Sequence, residues 1–206
     1  MVYLPPHFTE TREAVLLEHI ERHDFALLTT HGETGMIASQ IPILAERRDG
    51  KLYLHGHLAR GNPQCLDIYA GGEALVVFWG PHAYISPSWY TAGPAVPTWN
   101  YASVHAYGPC RAMDDKGWLH SFLRRLSERH EAREAAPWRM QDQPETFLDT
   151  MMGGILGFEI AVSRLEGKFK LSQNRPAEDR PRIIAELEAR DDSDAHGVAR
   201  LMKERD

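Results

Sequence analysis

The sequence is poor in sulfur, has no long apolar run and carries no surplus of positive charge. Only Cys65 and Cys110 are cysteines, far apart and with no nearby Cys partner, so they build neither a disulfide framework nor a zinc knuckle. The longest unbroken apolar stretch, Ala74 to Trp79, falls far short of the ~20 residues that span a bilayer. Met1-Val2-Tyr3-Leu4-Pro5-Pro6 has neither the basic start nor the apolar stretch of a secretory signal, so the expected location is the cytoplasm, with no membrane partner. Lys and Arg total 23 against 29 Asp and Glu, a formal charge of −6, which weighs against a concentrated nucleic-acid-binding face. The Gly-x-Ser-x-Gly, Walker, GxGxxG and His-Glu-x-x-His motifs are all missing, so hydrolase and nucleoside-triphosphatase chemistry has no residues to rest on.

What remains is ordinary globular material: 43% hydrophobic and 25% charged residues over 206 positions, enough for a real core. There is no internal repeat and no linker, so one domain over residues 1–206 is expected, with a helical, charged extension at about 178–206. The patterning predicts a helix capped by Thr9 and ending near His23, then strands over 25–30 and 36–44 joined by a turn at 31–35. Pro42 has no amide proton, which places its strand at a sheet edge or a gap in the ladder. Arg48-Asp49-Gly50 signals a hairpin into a strand over 51–57. Further strands are expected over 74–80 and 100–113. A helix opened by Asp114 and Asp115 follows, with the apolar stripe Trp118, Leu119, Phe122, Leu123 and Leu126. A shorter helix over 145–152 precedes a strand over 155–165 that turns at Glu166-Gly167, and Ser193 or Asp194 caps a last helix. Hairpin signals without regular βαβ alternation predict a mainly β fold with peripheral helices, an α+β barrel or sandwich.

Three stretches concentrate chemistry. In His55-Gly56-His57-Leu58-Ala59-Arg60-Gly61-Asn62-Pro63-Gln64 a strand ends, and Asn62 followed by Pro63 has the form of a helix start, with Arg60 beside the exposed amides. That order suits a phosphate dianion, and it equally makes an ordinary strand-to-helix turn. His55 and His57 share a strand face, but no third ligand is visible nearby, so no metal is expected. The run from Gly80 through Tyr90, continued by Val96-Pro97-Thr98-Trp99-Asn100-Tyr101, stiffens aromatics with prolines, which serves a planar ligand, a core or a dimer contact. In Gly167 to Arg175, alternation puts Lys168, Lys170 and Ser172 on one face, either a ligand row or an edge strand protected by lysines. No catalytic residue emerges from these stretches.

These stretches, together with the Tyr-x-Pro-x-His-Phe start at residues 3–8, resemble the PaiB family of FMN-binding negative transcriptional regulators, within the wider pyridoxamine-phosphate-oxidase-like proteins. The resemblance covers nearly the whole chain. It implies a six-stranded FMN-binding split β-barrel that forms a homodimer, with FMN in clefts between subunits. Carried over by position, Ser39, Gln40, Ile41 and Pro42 resemble the strand beside the flavin ring. His55, His57, Leu58, Ala59, Arg60 and Asn62 resemble the phosphate side. Trp99, Lys170, Ser172 and Gln173 belong to the aromatic and late segments that complete the site, expected from the partner chain. The oxidase relatives commonly carry an Arg-Lys pair where this chain has Gly61 and Asn62, which argues against pyridoxamine-phosphate oxidation. A flavin-dependent oxidoreductase, an FMN reductase or small-molecule oxidase, is the other activity the resemblance leaves open. DNA contact finds no helix-turn-helix pattern or cationic surface in this sequence.

Overall fold

A computed structural model describes residues 1–33, 35–91 and 93–205. The turn expected over 31–35 includes Thr34, and the aromatic loop includes Ala92; both lie outside the described residues. The helices are α1 (Glu13–Arg22), α2 (Gln64–Ala70), α3 (Lys116–Glu131), α4 (Glu145–Gly153), α5 (Asp179–Glu188) and α6 (Ser193–Lys203). The strands are β1 (Thr9–Glu10), β2 (Phe25–Gly32), β3 (Gly35–Pro42), β4 (Leu44–Arg48), β5 (Lys51–Ala59), β6 (Gly72–Ile85), β7 (Thr98–Met113), β8 (Ile155–Ala161) and β9 (Arg164–Lys170). The architecture is therefore α+β, built on a large sheet. Its strands pair in the order β3-β2-β6-β7-β8-β5-β4, with β9 paired to β1 and β7, so nine strands replace the six expected and the path does not close on itself.

The chain divides into two compact units. Unit 1 comprises Met1–His23, Val77–His105 and Leu165–Asp206, and unit 2 comprises Asp24–Val76 and Ala106–Arg164. In unit 2, β2 and β3 form an antiparallel hairpin from Phe25↔Pro42 to Gly32↔Gly35. Pro42 lies in a strand that ends the path, where its missing donor is tolerated. The β4–β5 hairpin closes at Arg48↔Lys51 through Asp49 and Gly50, with φ of 52° and 75°. Two consecutive positive φ values make the type I′ turn whose twist matches the flanking strands. β8 pairs antiparallel with both β5 and β7. Leu28, Leu54, Leu156, Phe158 and Ile160 are buried here, and α3 adds Leu119, Phe122 and Leu126 from the stripe read in the sequence. Asp115 alone caps α3, its Oδ1 accepting from Trp118 N at 2.7 Å.

Unit 1 corrects three boundaries. Thr9 caps no helix: Thr9 and Glu10 pair with Lys168 and Gly167 as β1, and α1 starts at Glu13. Glu166-Gly167 is not a turn, because β9 runs through it to reach β1. A Cβ on Gly167 would sit 2.2 Å from Leu16 and 3.0 Å from the Glu10 carbonyl, so the glycine permits a close approach rather than a bend. Asp192, not Ser193 or Asp194, caps α6, its Oδ1 accepting from the amides of Asp194 and Ala195 at 2.9 and 3.3 Å. The charged tail is amphipathic, with Ile183, Leu187, Val198, Ala199 and Met202 fully buried.

Candidate functional site

In unit 2 the connection from β5 to α2 folds back on itself. Asn62 N donates to Ala59 O at 2.9 Å, and Asn62 Oδ1 accepts from Gln64 N at 2.9 Å, the bond expected of a helix-start asparagine although α2 proper begins at Gln64. Asn62 Nδ2 then reaches Ser39 Oγ on β3 at 3.1 Å. Gln64, wholly buried, donates from Nε2 to Leu28 O, Thr30 Oγ1 and Ile37 O at 3.3, 3.2 and 3.1 Å. Asp67 accepts from Thr30 Oγ1 at 2.6 Å. These bonds fasten the short helix to β2 and β3, so Ser39 and Asn62, 23 positions apart, stand together. Arg60 and Gly61 are exposed at this turn, Gln40 is exposed on the face of β3 opposite Ser39, Pro42 is half-buried, and Ile41, Leu58 and Leu54 are buried.

Arg60 is held on three sides. Its Nε donates to Gly153 O at 3.1 Å, Nη1 to Tyr69 Oη at 2.9 Å and Nη2 to Asp114 Oδ1 at 2.6 Å. Tyr69 Oη donates to Asp114 Oδ2 at 2.6 Å, closing a ring of three side chains. Asp114 and Tyr69 raise the guanidinium pKa, while Tyr69 and Arg60 pull the Asp114 carboxyl below its usual range. The guanidinium plane is thus fixed with two N–H groups uncommitted among the described residues. Sequence reading found Arg60 but not Tyr69, Asp114 or Gly153, which lie in other elements and carry no local motif.

The two histidines do not face this surface. β5 turns His55 and His57 beneath α3, where His55 meets the Trp118 ring at 5.4 Å and His57 meets Phe122 at 5.9 Å between centroids. His55 is 1% exposed and its Nε2 donates to Glu159 Oε2 at 3.0 Å. Burial lowers its pKa against the opposing pull of Glu159, and burial also lowers that of His57. What this segment offers a ligand is therefore backbone, with the imidazoles taken up by packing. No cluster of three metal-ligating side chains occurs among the described residues.

In unit 1 the late segment is tied to the start of β7. Asn100 Nδ2 donates to Ser172 Oγ at 2.9 Å, both side chains being buried, and Ser172 holds a left-handed φ of 62°. Such a conformation in a serine is strained and marks a position the surroundings over-determine. Lys170 Nζ donates to Thr98 Oγ1 and to Trp99 O, the latter at 2.5 Å. Burial lowers its pKa, helped by Lys168 and Arg175. Gln173 spends its amide on its own strand end, accepting from Leu171 N at 2.7 Å and donating to Phe169 O at 2.5 Å. Trp99 is 53% exposed, edge-on to Tyr84 at 6.0 Å.

Comparison with solved structures finds the same fold, that of a split barrel, in other proteins. The FAD and heme binding protein of Mycobacterium smegmatis superposes with a TM-score of 0.60 at 16% identity, covering 84% of this chain and 78% of that one. The flavocytochrome Anf3 of Azotobacter vinelandii gives 0.59 at 9% identity, covering 87% and 78%. Residues 2–164 match the family model described as “Putative FMN-binding domain”, and the chain belongs to that family. It is 34% identical over 204 residues to the protease synthase and sporulation protein PAI 2 of Bacillus subtilis, covering 99% of this chain and 98% of that one. An uncharacterized protein of Emericella nidulans is 30% identical over 244 residues, covering 99% and 97%. FMN is thereby the cofactor of this domain. Arg60 and Gly61 are exposed at this turn and Ser39 and Asn62 half-buried, with nothing within 4 Å of where a Cβ on Gly61 would lie, so hydroxyl, amide and guanidinium groups of the kind that suit a ligand carrying hydroxyls and a phosphate are present together.

Proposed function

We propose that this chain is a cytoplasmic, homodimeric FMN protein of the PaiB kind that lowers gene expression according to the flavin it holds. The observation that carries the flavin part is the Asn62–Ser39 bond beside the fixed Arg60 guanidinium. The uncommitted Arg60 donors and the Asn62 turn hold the phosphate, and the backbone of Ser39 to Pro42 and of His57 to Ala59 lies along the flavin ring. FMN supplies electron and hydride exchange when bound. Trp99, Lys170, Ser172 and Gln173 come from the partner chain in this reading, which keeps residues 1–206 as one split-barrel domain with its last helices as an extension. Support for the dimer is the run of exposed apolar side chains in unit 1, where Trp79, Val96 and Trp99 are 57%, 70% and 53% exposed. Support for the regulatory part is the name of the Bacillus relative, which couples it to protease synthesis and sporulation.

A second reading, a flavin-dependent oxidoreductase, is favoured by the charge of the C-terminal helices. Residues 178–206 carry nine Asp and Glu against six Lys and Arg, and Lys203 is paired with Glu188 at 2.5 Å, so this segment offers a phosphate backbone no net positive charge. The experiment that divides the two is done on FMN-loaded protein. A salt-dependent gel shift of promoter DNA without bleaching of flavin by NAD(P)H supports the regulator. Stopped-flow bleaching by NAD(P)H with no gel shift supports the oxidoreductase and contradicts the regulator.

A further inference from the structure

In unit 2, α3 covers only part of the outer face of β4, β5, β8 and β7. Trp118 and Phe122 roof His55, and Arg125 reaches Glu46 at 2.5 Å. On the part that no α3 residue lines, a cleft of about 250 Å³ is bounded by Arg48, Tyr53, Pro109, Arg111, Glu159 and Ala161.

The charges in this cleft do not cancel. Glu159 is 2% exposed and accepts from Arg111 Nη2 at 2.6 Å, from Arg48 Nη2 at 3.2 Å and from His55 Nε2 at 3.0 Å. Two guanidiniums therefore meet one carboxylate, and the neighbouring Glu46 is taken by Arg125. Arg111 is 65% exposed and keeps most of its N–H groups uncommitted among the described residues. Arg48 lies over the Tyr53 ring at 4.0 Å, fixing both the guanidinium and the ring. Pro109 and Ala161 complete an apolar floor. A cavity of roughly 150 Å³ already holds benzene.

We propose that this cleft binds a small organic monoanion, a carboxylate on an aromatic or short aliphatic body. The carboxylate lies on the free N–H groups of Arg111 and Arg48, and the body rests on Tyr53, Pro109 and Ala161. A single excess positive charge selects a monoanion, because a dianion such as sulfate would meet the Glu159 carboxylate with its second charge unmatched. This site goes beyond the flavin reading and uses none of the exposed residues assigned to FMN.

The test is ¹⁹F NMR of 4-fluorobenzoate titrated to about 10 mM into the full chain, with and without FMN, beside the neutral 4-fluorobenzyl alcohol. Saturable shift or broadening is expected for the benzoate, with roughly tenfold weaker binding for the alcohol and for Arg111→Gln. Equimolar sulfate should fail to displace it. Because Arg111→Gln disturbs the ion cluster, Ala161→Leu serves as the second variant: it fills the floor, leaves every charge in place, and should abolish the signal while the circular dichroism melt is retained. No saturable change by about 10 mM, equal binding of the alcohol, displacement by sulfate, or wild-type binding by Ala161→Leu overturns the proposal.

Discussion

Asn62 Nδ2 donates to Ser39 Oγ at 3.1 Å, joining the turn after β5 to the terminal strand β3. The same side chain caps the first amide of α2 through Oδ1, so one residue sets both the turn and its distance from β3. Asn62→Ala is expected to weaken FMN binding about 3–10-fold and to cost about 2 kcal/mol of stability, the worth of one net hydrogen bond and one cap. Flavin fluorescence titration and a urea melt check the two separately.

Subunit exchange tests the proposed sharing of the site between chains. Arg60→Glu removes the cation from the phosphate side, and Trp99→Ala removes an exposed ring from the other segment. Each variant alone should lose roughly tenfold or more in FMN affinity. Mixing them after partial unfolding and refolding should restore one good site per heterodimer, measured on the separated heterodimer as half the wild-type flavin stoichiometry. A monomeric mass by light scattering would contradict the shared site.

Glu159 is the ionic centre of unit 2. Burial pushes its carboxyl pKa up, but His55, Arg111 and Arg48 together hold it below the usual range. A carboxylate with a depressed folded pKa contributes stability that is present above its unfolded value near 4.5 and is lost as pH falls through the folded value. Glu159→Gln should therefore cost about 1–3 kcal/mol at pH 7, the worth of hydrogen bonds to a charged group, since Arg111 and Arg48 are 65% and 43% exposed and stay hydrated, and less at pH 4. Chemical denaturation at the two pH values checks the difference.

His19 in unit 1 behaves in the same direction for another reason. Its ring lies against Phe169 and its Nε2 donates to Phe78 O at 3.2 Å, and burial, with His23 nearby, pushes its pKa down to about 3. The folded chain keeps it neutral where the unfolded chain protonates it, so stability is full above pH 6.5 and falls as pH drops towards 3. His19→Gln, which keeps a donor for Phe78 O, should remove up to about 1.4 kcal/mol per pH unit from that slope between roughly pH 6 and 4.

Local chemistry was legible in the sequence and long-range coverage was not. Asp49-Gly50 needed only its own φ values to make the hairpin, and Asp115 needed only the amide of Trp118. Thr9 has a good capping side chain, yet pairing with Lys168, more than 150 positions away, decides its conformation. His55 and His57 alternate correctly onto one strand face, but nothing in the stretch 55–64 reveals that α3 roofs that face. Arg60 was visible as a cation, whereas Asp114, 54 positions on, had to be brought beside it by the fold. Gln173 is read from the sequence as a ligand residue, and its amide bonds the backbone of its own strand end, a contact no motif signals.

The central claim is that this domain holds FMN on the Ser39–Asn62–Arg60 edge, and a titration of purified, flavin-free protein with FMN, followed by flavin fluorescence, tests it most directly. The account predicts a saturable change at one FMN per chain that is weakened by Asn62→Ala and by Arg60→Glu. No saturable change at tens of micromolar protein, or saturation that both variants leave untouched, would contradict it.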